Sequence, residues 1–266
     1  MKVTLHKEFI FGKAEQWTMT SKDERVYQIT VSLPKHARHL SDVPVLYVLD
    51  GDAYFTMFRE MIQLQSRRSD KTGIKDMAIV GIGYGADRSF HSNRVYDFTP
   101  PSHSLSLPIK PDGSPWPDSG GADKFLAFIE EELKPELEAC YPFNKHQQMI
   151  FGHSLGGLFT LYTLFRKPTA FQRYFACSPS IWWNEKMIVE QVPQLMFERE
   201  DVRSNIKLFM AAGTEEKPFL LNDAKEMRNL LTDAGMETLF VEGQGENHAS
   251  IVPSIFSTGM RYLQAE

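Results

Sequence analysis

The chemistry in this 266-residue chain gathers at a serine set between glycines, Phe151-Gly152-His153-Ser154-Leu155-Gly156-Gly157. A serine hydroxyl is a weak nucleophile until a base takes its proton and a third group orients the base. The local context suits that chemistry. Gln147-Gln148-Met149-Ile150 reads as a short buried strand, and Leu158 to Phe165 winds as an apolar helix. Strand, Gly-x-Ser-x-Gly and helix, in that order, describe a strained turn that projects the serine from the carboxyl edge of a sheet. Gly152 and Gly156 are expected to let strand and helix approach where a Cβ would collide. The helix N-terminus beneath the serine offers free N–H groups to a developing oxyanion. A glycine-rich turn opening any helix carries the same letters, so the assignment needs partners elsewhere.

In this arrangement the partners follow in chain order nucleophile, acid, histidine, each on a loop after a strand. Of the eight histidines only His248 lies beyond Ser154, in the loop Gly243-Gln244-Gly245-Glu246-Asn247-His248 after the last expected strand. The acid should follow the strand Ile206 to Ala212, where the chain reads Gly213-Thr214-Glu215-Glu216-Lys217-Pro218. Spacing of three residues from the glycine that ends the strand selects Glu216, with Glu215 and then Asp223 as alternatives. Of the two oxyanion-hole amides, one belongs to the residue after the nucleophile, Leu155, and the other to the loop Asp50-Gly51-Asp52 after an earlier strand, at Asp52. Asp50 and Asp52 are not joined by a His/Asp cluster that would make a metal site, and no cofactor is expected.

The elements that must position these residues follow from periodicity. Gln16 to Ser21 and Arg25 to Leu33 alternate as a hairpin with one wet face. Val43 to Leu49 and Met77 to Gly83 are nearly continuous apolar runs, as in parallel strands buried on both faces. Ala53 to Gln65, Asp123 to Tyr141, Lys225 to Ala234 and Ile251 to Leu263 read as helices, with Pro135 a kink or break in the second. Phe171 to Cys177 and Glu237 to Val241 are further strands. Between Tyr84 and Gly121 the chain loses periodicity and is rich in Pro, Ser, Arg and His, as functional loops often are. Strands alternating with helices imply an α/β fold with a mostly parallel sheet and an antiparallel N-terminal hairpin, in a single domain spanning 1–266.

Bulk properties narrow the function class. A net charge of -5 and a pI near 5.9 argue against a nucleic-acid binder. Cys140 and Cys177 lie in apolar surroundings and read as reduced core thiols, without metal-ligand spacing or a disulfide framework. The first residues, Met1 to Glu8, lack the apolar run of a signal peptide, and no stretch is long enough to span a bilayer, so a cytoplasmic location is expected. The residues carry no signal for oligomeric state.

Several segments together resemble the putative-esterase family of α/β-hydrolases, and within it the siderophore esterases. They are Val48 to Phe55, Gly81 to Tyr84, Arg94 to Pro101, Gly152 to Phe159, Ser178 to Asn184 and Gly245 to Pro253. The resemblance runs from about residue 43 to 263 and is closer in layout to the single-domain members. It implies an α/β-hydrolase fold and a small-molecule ester substrate. It also implies attack by Ser154 on a carboxylic ester, an acyl-enzyme, and His248 as general base and then acid. For a ferric catecholate trilactone, bulky and anionic, it further implies an open, locally basic site. Arg88, His91 and Arg94 would supply the charge, or Arg94 would hold its loop by pairing with Asp97 or another carboxylate. Trp182 and Trp183 would stack on catechol rings, or divide into one core residue and one pocket wall. The competing readings are a carboxylesterase or thioesterase for another acyl group (formylglutathione, feruloyl or acetyl sugar), an acyltransferase, and a silent binding module. A silent module would dispense with Ser154, His248 or the elbow glycines, all of which this chain retains.

Overall fold

The structure, a computed structural model, describes residues 14–34, 39–85, 88–110, 112–192 and 204–265. The Met1 to Glu8 stretch read for targeting lies outside them. Strands β1 (Glu15–Thr20), β2 (Val26–Ser32), β3 (Val45–Leu49), β4 (Ala78–Gly83), β5 (Gln148–His153), β6 (Arg173–Cys177), β7 (Lys207–Gly213) and β8 (Glu237–Gly243) form one sheet. Their order is β1-β2-β4-β3-β5-β6-β7-β8. The hairpin β1–β2 joins β4 antiparallel, and every pairing from β4 across to β8 is parallel.

Among the described residues the α-helices with defined bounds are α1 (Gly51–Ser66), α2 (Ser69–Thr72), α3 (Asn93–Phe98), α4 (Ala122–Phe128), α5 (Lys134–Cys140), α6 (Leu155–Arg166), α7 (Trp183–Lys186), α8 (Pro218–Asp233) and α9 (Ile251–Gln264). Alternation along the central strands assigns them to two layers. Val45, Tyr47 and Leu49 of β3 pack with Phe125, Leu133, Leu158 and Met227 on one face. Leu46 and Val48 pack with Phe58 and Ile62 of α1 and Ile255 and Phe256 of α9 on the other. All five residues of β3 are buried, which is why its sequence is apolar without a break. Among the described residues no helix is long and apolar enough to cross a membrane.

Of the two thiols expected in the core, Cys177 is buried but Cys140, at the end of α5, is exposed. Three further local differences from the sequence reading have physical causes. The chain does not break at Pro135; α4 runs through a π segment, Ile129–Leu133, into α5. A widened turn just ahead of a proline accommodates its ring and its missing N–H. Helix α8 starts at Pro218 rather than Lys225, because a proline in the first turn gives up no intrahelical bond. The irregular segment after β4 contains α3, six residues whose buried side is Val95, Asp97 and Phe98.

The elbow glycines also divide differently. A Cβ on Gly152 would stand 2.0 Å from the Gly156 carbonyl oxygen, whereas one on Gly156 would meet nothing nearer than Asp50 Oδ2 at 3.5 Å. The tight glycine on the helix side is Gly157, where a Cβ would lie 2.9 Å from the Cys177 carbonyl. Gly152→Ala is therefore expected to destabilise the protein by about 3 kcal/mol, and Gly156→Ala by about 1 kcal/mol or less. Urea unfolding of the two variants measures the difference, and equal losses would contradict this packing.

Candidate active site

Adjacent strands β3, β5 and β6 each end in a non-glycine residue with positive φ: Asp50 at 51°, Ser154 at 60° and Ser178 at 41°. Such conformations cost about 1–3 kcal/mol each and persist only where neighbours over-determine them. Here the main chain does so. The Ser154 N–H donates to the Cys177 carbonyl at 3.0 Å, and the Ser154 carbonyl accepts from Leu158 N at 2.9 Å and Ser180 N at 3.0 Å. The Ser178 N–H donates to the Ala211 carbonyl at 2.7 Å. Ser154 thus sits on the turn from β5 into α6, with Leu155 as the first helical residue.

Two strands further along, Glu216 follows the end of β7 and His248 follows β8. His248 Nδ1 lies 2.7 Å from Glu216 Oε2, and the carboxylate is fully buried. The other oxygen, Oε1, accepts from Ser178 Oγ at 2.5 Å and from the Gly213 N–H at 2.7 Å. Burial opposes the charge, but the hydrogen bonds from His248, Ser178 and the Gly213 amide outweigh it and hold the carboxyl below the usual glutamate range. Glu215 is exposed, and the buried Asp223 pairs with Lys186 at 2.7 Å. Of the three acids considered, Glu216 is the one that meets His248.

Ser154 and His248 line one cavity of about 470 Å³ with Ser180, Trp182, Lys217 and Phe219 among its walls. Ser154 Oγ lies 3.3 Å from Ser180 Oγ. Ser180 and Lys217 were not singled out in the sequence, although Ser180 closes the Ser-Pro-Ser run after β6 and Lys217 follows Glu216 directly. At the start of α1 the Ala53 and Tyr54 amides both return to the Asp50 carbonyl, at 2.9 and 3.1 Å. The Gly51 and Asp52 amides, like that of Leu155 in α6, head their helices and have no intrahelical acceptor. The half-buried serine and imidazole and the buried carboxylate, with amides from two helix starts, are the kinds of group that acyl transfer requires.

The family model described as Putative esterase matches residues 21–249. The chain belongs to this esterase family. Ferri-bacillibactin esterase BesA of Bacillus subtilis (strain 168) is 41% identical over 261 residues, covering 96% of this chain and 90% of that protein. The siderophore enterobactin esterase of Emericella nidulans is 40% identical over 185 residues, 66% of this chain and 60% of that protein. Among solved structures, the BES protein from Bacillus cereus has a TM-score of 0.93 at 42% identity, covering 99% of this chain and 100% of that one. The IroE-like serine hydrolase from Shewanella oneidensis has a TM-score of 0.78 at 26% identity, covering 94% and 79%. The fold is that of the α/β-hydrolases, and the esterase is a carboxylic ester hydrolase.

Some residues expected at the substrate stand elsewhere in the esterase. Arg94 spends its guanidinium on Asp50, with Nε to Oδ1 at 2.7 Å and Nη2 to Oδ2 at 2.8 Å. Of the two readings of Arg94, this is the one in which it pairs with a carboxylate, and the carboxylate is Asp50 rather than Asp97. Asp97 instead takes Arg25 Nε at 2.9 Å and the Tyr84 hydroxyl at 2.8 Å. Burial pushes the Asp97 carboxyl up to about 6, against the opposing pull of Arg25 and Tyr84. Trp183 is a core residue with no exposed surface, in line with the reading that divides the pair into one core residue and one pocket wall. Trp182 remains on the cavity wall, 6.0 Å from the unanticipated Trp116. Arg88 is exposed beyond β4, and His91 stacks on Tyr84 at 5.1 Å; neither lines the cavity. The Asp50 and Asp52 carboxylates both have protein partners. Asp52 accepts the Tyr84 amide at 2.7 Å and the Gly85 amide at 3.2 Å.

Arg94→Met would strand the Asp50 carboxylate in the interior. Breaking a buried pair from one side costs about 3–5 kcal/mol, so chemical denaturation of this variant should show a loss of that order. A loss under about 1 kcal/mol, the size of a surface pair, would contradict the buried ion pair.

Proposed function

We propose that this esterase opens the trilactone of a ferric catecholate siderophore through an acyl-enzyme on Ser154. The observation that carries the mechanism is the 2.7 Å Glu216–His248 hydrogen bond in the cavity that also holds Ser154. Glu216 orients the imidazole and balances its charge once protonated. His248 takes the Ser154 proton as Oγ bonds to the ester carbonyl carbon. The Leu155 and Asp52 amides receive the oxyanion. The ester C–O bond then breaks, and His248 gives its proton to the leaving alkoxide. Water, deprotonated by His248, attacks the acyl-enzyme, and Ser154 leaves with that proton. The product is one linear ligand that carries both the new hydroxyl and the new carboxylic acid, with one ester bond fewer around its iron.

The substrate class is supported by the relatives. Similarity to a ferri-bacillibactin esterase extends over nearly the whole chain, and a second relative is named for enterobactin. The cavity admits one acyl arm, leaving the rest of a three-armed ligand outside it. Trp182 offers an aryl contact, and Lys217 takes over the cationic role that Arg94 does not fill; Arg88 remains a contact for the outer arms. Iron released for the cell's own use points to the cytoplasm as the working compartment.

Hydrolysis of ferric enterobactin beside p-nitrophenyl butyrate tests both parts. Wild type should cleave both esters. Ser154→Ala should lose roughly 10⁵–10⁶ in kcat, and Glu216→Gln about 10⁴. Cleavage of the short ester alone would remove the siderophore and leave a carboxylesterase for another acyl group. Activity retained by Ser154→Ala would overturn the mechanism.

A further inference from the structure

His153, the residue before the serine, is not used by the mechanism above, yet its environment is specific. It closes β5, and its ring is almost completely buried. Like Phe151 two residues earlier, it faces the layer that holds α1 and α9, so it lies under the His248 loop. Its ring centroid is 4.4 Å from that of His248, tilted by 43°. Nδ1 is 2.9 Å from the hydroxyl of Tyr54, on the first turn of α1. Nε2 is sealed from water without an aligned hydrogen bond among the described residues, and the polar group it faces is the main chain of His248.

An apolar ring would fill this space without burying a polar atom, so an imidazole with an open Nε2 calls for an account. Desolvation first, then the neighbouring His248 and Arg94, push the His153 pKa down to about 3, so the ring is neutral and carries one proton. Burial raises the Tyr54 phenol, which therefore stays protonated. A phenol donating to Nδ1 puts the imidazole proton on Nε2, facing the His248 backbone. A second contact of His248 is equally slack. Ser154 Oγ bonds to Ser180 Oγ at 3.3 Å, and among the described residues no hydrogen bond joins it to His248. One small displacement of the His248 loop engages both sides of that residue, as catalytic hydrogen bonds often tighten only in the substrate complex.

We propose that His153 is a positioning residue: fixed in one tautomer by Tyr54, it presents Nε2–H to the main chain of His248 and sets where that imidazole stands relative to Ser154. The assignment rests on the Ser154–His248 reading but not on the siderophore.

The test uses the full chain and p-nitrophenyl butyrate, with His153→Phe, His153→Gln and Tyr54→Phe. His153→Phe keeps a ring but no donor. Misplacing a reacting group by about 1 Å costs on the order of 100-fold, so kcat should fall by about 10- to 100-fold with KM within about twofold. His153→Gln, which restores an N–H donor, should recover most of that loss. Tyr54→Phe, which frees the tautomer, should lower kcat by about 3- to 10-fold on the same reasoning. Wild-type kcat in His153→Phe, a loss confined to KM, or no recovery in His153→Gln would overturn the proposal. Should His153→Phe fail to fold, Tyr54→Phe decides alone, and unchanged kcat there would overturn it. An inactive Ser154→Ala with a fully active His153→Phe separates failure of this inference from failure of the mechanism.

Discussion

A carboxylate sealed from water is costly unless donors replace its hydration, and this requirement at Glu216 ties the site together. Its two oxygens draw on Ser178 after β6, the Gly213 amide at the end of β7 and His248 after β8. Three successive strand ends are thereby fixed to one charged group. With those bonds the carboxyl stays ionised below its ordinary range. Without them, burial would push its pKa upward and weaken the anionic partner of the imidazole.

The other side of the site depends on a second buried charge. Asp50 adopts a left-handed conformation at the end of β3, and its carboxylate is gripped by both ends of the Arg94 fork. That grip joins α3 to the start of α1, and the same guanidinium reaches the His153 carbonyl at 3.4 Å. Strained turns at Asp50, Ser154 and Ser178 are held side by side because each is hydrogen-bonded or ion-paired to the next element. The position of Ser154 is thus set by the sheet's carboxyl edge, while Glu216 and His248 are brought to it on the loops after β7 and β8.

Much of this was legible in the sequence because the signals were short-range. Continuous apolar runs marked β3 and β4, the elbow spacing marked Ser154, chain order left only His248, and the distance from Gly213 favoured Glu216. What stayed open or was missed turned on side-chain direction, on short elements and on tertiary contacts. Whether Arg94 met substrate, Asp97 or another carboxylate turned on the left-handed turn at Asp50, which no local pattern announces. Trp182 and Trp183 were adjacent letters, and their division into wall and core follows the turn in which Asn184, Glu185 and Lys186 all take positive φ. Helix α3 was hidden by its length and by a charged residue, Asp97, on its buried side. The exchange of Gly156 for Gly157 as the tight glycine depends on how α6 meets the Cys177 carbonyl, a tertiary contact.

The central claim is that ester cleavage passes through an acyl group on Ser154. Rapid-quench turnover of a p-nitrophenyl ester, followed by peptide mass mapping, addresses it directly. A burst of nitrophenol and an acyl mass on the peptide carrying Ser154 are expected, both lost in Ser154→Ala. An acyl mass on another residue, or full turnover with no adduct and no burst in single-turnover conditions, would contradict it.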